Sequence, residues 1–143
     1  MAIKRKASAV WQGGLKDGKG VVSTATGVLN NTPYNFSMRF EDEPGTNPEE
    51  LIAAAHAGCF AMALSGQLDA ADLKADSLTV NATVRMEKTD AGMTVTSSHL
   101  DLVAKIPGAS EEAFSTAAAN AKAGCPISRL LNCEITLDAR LEA

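Results

Sequence analysis

Aromatic side chains are scarce in this chain: one Trp, one Tyr and four Phe among 143 residues, against 25 alanines. Apolar burial stabilises by about 25 cal/mol per Å², so a core of small side chains gains little from each residue and depends on close approach of backbones. Such a chain benefits from burying further surface in a homo-oligomer. A basic cluster is also missing. The net charge is −4 and the isoelectric point near 5.1, and no group of Lys and Arg can neutralise several phosphates, which excludes nucleic acid as a partner. Met1–Lys6 is basic, but no apolar run follows it, so a secretory signal is excluded. The longest low-charge stretch, Leu51 to Leu64, has fourteen residues and contains His56. A membrane span takes about 20 residues, so this stretch reads as a buried core helix, without a membrane role. A cytoplasmic protein is expected. No structural disulfide is expected there, and cysteines serve as inert core residues, metal ligands or redox thiols.

What is present is ordinary for a globular chain. Apolar residues make up 45% and charged residues 21%, and the length fits a single domain over residues 1–143. Gly13-Gly14, Asp17-Gly18, Gly27 and Asn30-Asn31 punctuate an opening block of strands. Tyr34, Phe36, Met38 and Phe40 then alternate with Asn35, Ser37 and Arg39, which predicts a strand with Arg39 on its polar face. Asn47 suits a helix N-cap, with Pro48 at N1 and Glu50 at N3, and the helix continues to about Leu68. Its apolar residues lie on every side, so protein must cover it all round.

A second strand block runs from Leu78 to Met86 and, after the turn at Asp90-Ala91-Gly92, through Met93 and Val95 to Ile106. The apolar phase shifts before Leu100, which predicts a β-bulge. Ser110 caps a further helix to about Ala123, ended by Gly124. Pro126 starts a short helix whose N-cap is Cys125, and a final strand runs from Cys133 with Cys133 in phase with its apolar face. Runs of strands rather than strict alternation with helices predict an α+β fold with mostly antiparallel sheet.

The three cysteines, Cys59, Cys125 and Cys133, contain no Cys-x-x-Cys pair. His56-x-x-Cys59 is the one close set of ligand types, which argues against a metal. Cys133 reads as a small buried hydrophobe. Cys59 lies three turns into its helix, beyond the reach of the dipole, and apolar surroundings raise a thiol's pKa. From the residues alone the inert reading of Cys59 is favoured unless a cation is brought to it. Cys125, as an N-cap between Gly124 and Pro126 on an exposed turn, sits where backbone N–H groups favour a thiolate. Arg39 is an available cation. His56, one turn before Cys59, reads as a hydrogen-bonded core residue rather than a base, and His99 receives no role.

Two segments carry a resemblance. Gly45-Thr46-Asn47-Pro48-Glu49-Glu50-Leu51 through Ala55-His56-Ala57-Gly58-Cys59-Phe60, and Ala121-Lys122-Ala123-Gly124-Cys125-Pro126-Ile127-Ser128, resemble the two cysteine motifs of the OsmC/Ohr family of thiol peroxidases. They stand 66 residues apart in the right order, and the likeness runs from the Trp11 region to the Cys133–Arg140 strand. Val10-Trp11 and Arg39-Phe40-Glu41 resemble the osmotically inducible protein C branch in particular.

The resemblance implies an intertwined homodimer, with mostly antiparallel sheet wrapped around central buried helices and both subunits contributing to each site. It implies a peroxidase of oxidative and osmotic stress defence that reduces organic hydroperoxides, and hydrogen peroxide less well. By motif position Cys59 is the attacking thiol, Cys125 the resolving thiol and Glu49 the acid that holds the active-site arginine. The first turn, Gly13 to Lys19, has no arginine, so Arg39 is assigned, with Lys16 as the fallback. No cofactor or metal is expected. A thiol reductant is implied, and the family points to a dihydrolipoyl protein. The rival readings are a dimeric binding module for an apolar small molecule and a thiol–disulfide oxidoreductase.

Overall fold

The computed structural model describes residues 1–142. The chain divides into two units, Met1–Leu51 and Ile52 onward. In the first, β1 (Ala7–Gln12), β2 (Lys19–Thr24) and β3 (Thr32–Tyr34) form an antiparallel sheet in that order. Gly13, at φ 91°, makes the left-handed entry to the first turn that a side chain would resist. Gly20, the one buried residue of this unit, pairs with Trp11 on one side and Tyr34 on the other. The two rings meet over it, with centroids 5.3 Å apart.

The strand expected over residues 34–40 stops at Tyr34. A short helix, α1 (Phe36–Phe40), takes its place. The reason is local: Asn35 Oδ1 accepts the Met38 N–H at 2.8 Å, an N-cap that the alternation of apolar residues conceals. Phe36 and Phe40, four apart, then meet with tilted rings whose centroids are 4.9 Å apart, as a helix allows and a strand does not.

The helix α2 (Pro48–Ala70) begins in the first unit and continues through the second. Asn47 caps it as expected, accepting the Glu50 N–H at 2.8 Å. Its 23 residues are long and apolar enough to cross a membrane by length and composition. In the second unit His56, Phe60, Leu64 and Leu68 form one buried stripe at a spacing of four, and the rest of the helix is not covered all round as the sequence predicts.

That stripe shares a core with β5 (Gly92–Lys105) through Leu100, Leu102 and Ala104, and with α3 (Glu111–Gly124) through Phe114, Ala117, Ala118 and Ala121. β4 (Ser77–Thr89) pairs antiparallel with β5, and the register shift between Arg85 and Met86 leaves Thr96 as the expected bulge. α3 carries its Ser110 cap, and α4 (Pro126–Leu130) follows. β6 (Glu134–Glu142) then lies parallel to β5, the one parallel pairing of four among the described residues. The fold is α+β, its sheets mostly antiparallel.

Candidate active site

Arg39 sits on the last turn of α1 and Glu49 on the first turn of α2. Their side chains meet in a fork, Nε to Oε1 at 3.0 Å and Nη2 to Oε2 at 2.9 Å. Two parallel bonds fix the plane of the guanidinium, which a single contact would leave free to rotate. The Glu49 bond raises the Arg39 pKa further, so its charge is permanent. Arg39 also lies over the Phe40 ring at 5.0 Å, and the Lys16 ammonium approaches Phe36 at 6.0 Å. Lys16 has no carboxylate partner among the described residues, so its charge is not oriented in this way. Beside Arg39, the side chains of Trp11, Leu15, Tyr34, Phe36 and Phe40 enclose a pocket of about 240 Å³.

In the second unit Cys125 Sγ lies 2.7 Å from Cys59 Sγ, bringing together thiols 66 residues apart in sequence. Cys59 is half-buried on α2, and Cys125 is fully buried, although Gly124 and Pro126 beside it are exposed. The expected exposed turn therefore holds only for the neighbours of Cys125, because its side chain turns into the core against α2. As the N-cap of α4, Cys125 makes no side-chain capping bond. The amide that sequence reasoning gave to Cys125 serves the other sulfur: the Ile127 N–H donates to Cys59 and lowers its pKa. Burial, and after it the adjacent Cys125 thiol, act more strongly in the opposite direction and hold the Cys59 pKa above the usual thiol value. The expected penalty of apolar surroundings is present.

The OsmC-like protein family model matches residues 40–140. The chain is 49% identical over its full length, and over the full length of the relatives, to the peroxiredoxins OsmC of Escherichia coli strain K12 and Shigella flexneri. The chain belongs to the OsmC family. Among solved structures it resembles an organic hydroperoxide resistance protein from Elizabethkingia anophelis, with a TM-score of 0.74, 27% identity and coverage of 99% of this chain and 100% of that one. An OsmC-like protein from Mycoplasma pneumoniae shares the fold at a TM-score of 0.79 and 16% identity, over the full length of both chains.

His56 is fully buried with Nδ1 2.6 Å from Ser98 Oγ and Nε2 2.8 Å from Ser128 Oγ, so both ring nitrogens are engaged and neither is open to a metal. It is the core residue the sequence indicated. Cys133 precedes β6, half-buried, and burial pushes its thiol pKa up. Among the described residues His99, Asp101 and Asp138 place ligand-type atoms within 4.8 Å of one another. His99 Nε2 stands 3.3 Å from each carboxylate while Nδ1 meets Thr136 Oγ1 at 2.5 Å, so the ring's own hydrogen bonds account for the arrangement. Sequence reading missed this cluster. Its signal was the pairing of Asp101 with Asp138, which depends on the unforeseen parallel contact of β5 and β6.

Proposed function

We propose that this chain is a thiol-dependent peroxidase that reduces organic hydroperoxides, with Cys59 as attacking thiolate, Cys125 as resolving thiol, and Arg39, oriented by Glu49, as the activating cation. The observation that carries the reading is the 2.7 Å approach of the Cys59 and Cys125 sulfurs. The Cys59 thiolate attacks the terminal peroxide oxygen and the O–O bond breaks. The bonding electrons leave on the alkoxide, which takes a proton and departs as the alcohol. Cys59 is left as a sulfenic acid. Cys125 attacks that sulfur, the hydroxyl leaves as water, and a Cys59–Cys125 disulfide forms. A dithiol returns the enzyme to its starting state by exchange. A dihydrolipoyl protein fits that role.

Arg39 supports the cycle because Cys59 is otherwise held protonated, and a planar guanidinium offers two N–H groups to thiolate and peroxide oxygens together. The aromatic pocket beside Arg39 supports an organic substrate, since a hydroperoxide tail can lie against Trp11, Tyr34 and Phe36. The apolar residues of α2 around Cys59, namely Ile52, Ala55, Phe60, Met62 and Ala63, are a second surface for the tail to be weighed. Of these, Phe60 is sealed in the core and cannot receive it. The working form is a homodimer in the cytoplasm, folded as one OsmC-like domain and active in defence against oxidative and osmotic stress.

One equivalent of an organic hydroperoxide, followed by non-reducing peptide mass spectrometry, tests the assignment. The expected product is a Cys59–Cys125 disulfide within one chain, with Cys133 reduced. A Cys125–Cys133 or interchain bond as the main product overturns it.

A further inference from the structure

The imidazole of His56 joins three elements at a point wholly closed to water. It projects from α2, meets Ser98 of β5 at 2.6 Å and meets Ser128 of α4 at 2.8 Å. Burial lowers its pKa, which keeps the ring neutral. A neutral imidazole has one N–H and one lone pair, so one serine accepts from it and the other donates to it. No buried polar side-chain atom among the described residues is left without a partner, and this ring is no exception.

The placement relative to the two thiols is what gives the ring a role. His56 stands one turn before Cys59 on α2, and Ser128 stands one turn after Cys125 on α4. The two helices therefore meet twice, by sulfur against sulfur at 2.7 Å and by imidazole against hydroxyl at 2.8 Å. α4 has only five residues, too few to persist without tertiary support. Apart from its Cys125 cap and the Ile127 N–H that meets the reacting Cys59 sulfur, α4 is tied to another element among the described residues by one hydrogen bond between side chains, that of Ser128. When Cys59 takes up the peroxide oxygen, the direct sulfur contact is interrupted by the new hydroxyl. The imidazole–hydroxyl bond contains no atom that peroxide alters, and it persists.

We propose that His56, through Ser128, is a positioning residue for the resolving step. It keeps α4 docked while Cys59 is a sulfenic acid, so that Cys125 reacts before a second peroxide arrives. The inference rests on the peroxidase reading above. The sulfenic acid has two fates. In one, the Cys125 sulfur bonds to Cys59 and water leaves; in the other, a second hydroperoxide transfers oxygen, gives the sulfinic acid and leaves as alcohol. The first is intramolecular, and its rate follows the fraction of time α4 is docked. The second depends on peroxide concentration alone.

The experiment measures that partition. Wild type, His56→Gln, Ser128→Ala and Ser128→Thr are cycled with a dithiol and rising organic hydroperoxide, and Cys59 sulfinic acid is quantified by peptide mass spectrometry. Partition is counted per turnover of folded enzyme, so a lower folded fraction does not move it. Loss of the Ser128 hydroxyl should release α4 enough for over-oxidation to reach half at about tenfold lower peroxide. His56→Gln should shift in the same direction, and Ser128→Thr, which keeps the hydroxyl, should return to wild type. Equal partition in wild type and Ser128→Ala overturns the inference, and so does an equal shift in Ser128→Ala and Ser128→Thr. If wild type forms no Cys59–Cys125 disulfide, the peroxidase assignment itself fails and the inference with it.

Discussion

A thiol attacks peroxide as the thiolate, and burial together with Cys125 holds Cys59 in the other state while only the Ile127 N–H opposes them. A fixed cation is the remedy that chemistry offers. Arg39→Ala should therefore raise the Cys59 pKa, read from the pH dependence of alkylation, and lower kcat/KM for an organic hydroperoxide by about ten- to a hundredfold, the worth of one charge-assisted hydrogen bond. Arg39→Lys should recover little, since a point charge cannot make the fork with Glu49. If Lys16→Ala abolishes turnover while Arg39→Ala does not, the cation comes from the first turn. His56 makes a second prediction. Its folded pKa lies below the ordinary value of about 6.5, so the unfolded chain binds a proton that the folded chain refuses. Stability is whole above that pH and declines as pH falls through it, by at most about 1.4 kcal/mol per pH unit from this group. Its two polar partners are hydroxyls that do not titrate. Denaturant midpoints measured from neutral to mildly acidic pH should decline in wild type, and the decline should be shallower in His56→Gln.

The elements differ in how openly their residues announce them. Asn47 and Ser110 were legible as caps because a cap, its proline or acids and the following apolar run all sit within a few residues. The bulge at Thr96 was legible for a similar reason, since a one-residue slip exchanges the faces of a strand. Residues 34–40 misled because seven residues satisfy a period of two as easily as they satisfy an Asn35 cap and a Phe36–Phe40 pair. The burial of Cys125 had no local signal, because it is decided by α2, far away in sequence. The first sheet supplies a further test. A Cβ built on Gly20 would stand 2.5 Å from Trp11 Cε3 and 2.7 Å from Tyr34 Cε1, so the rings lie directly on its backbone. Gly20→Val should push both rings into the pocket beside Arg39. Bulky alkyl or aryl hydroperoxides should then lose about fourfold in kcat/KM for each methylene contact removed, while hydrogen peroxide, with no tail, stays near its original value. Equal losses for both would show that these rings do not receive the substrate.

At the scale of the whole molecule the numbers of exposure point beyond one chain. The first unit buries only Gly20 among its described residues and leaves Val10 57% exposed and Leu15 66% exposed. On α2, apolar on every side, the stripe from His56 to Leu68 is inside, whereas Met62 is 81% exposed and Leu51 37%. An apolar helix face in contact with water is unfavourable, and a partner that covers it removes that cost. The homodimer proposed above would cover that face, because a core rich in alanine and short of bulky side chains has most to gain from further burial. Sedimentation at micromolar concentration should give a dimer, and the thermal midpoint should rise with concentration, as mass action requires when association stabilises the fold. Met62→Glu puts a charge on the uncovered face and should weaken the dimer, lowering the thermal midpoint at fixed concentration and lowering peroxidase activity in step with the fraction of dimer. A monomeric Met62→Glu protein with full activity would mean that a single chain assembles the catalytic groups unaided, and that the exposed face of α2 serves another purpose.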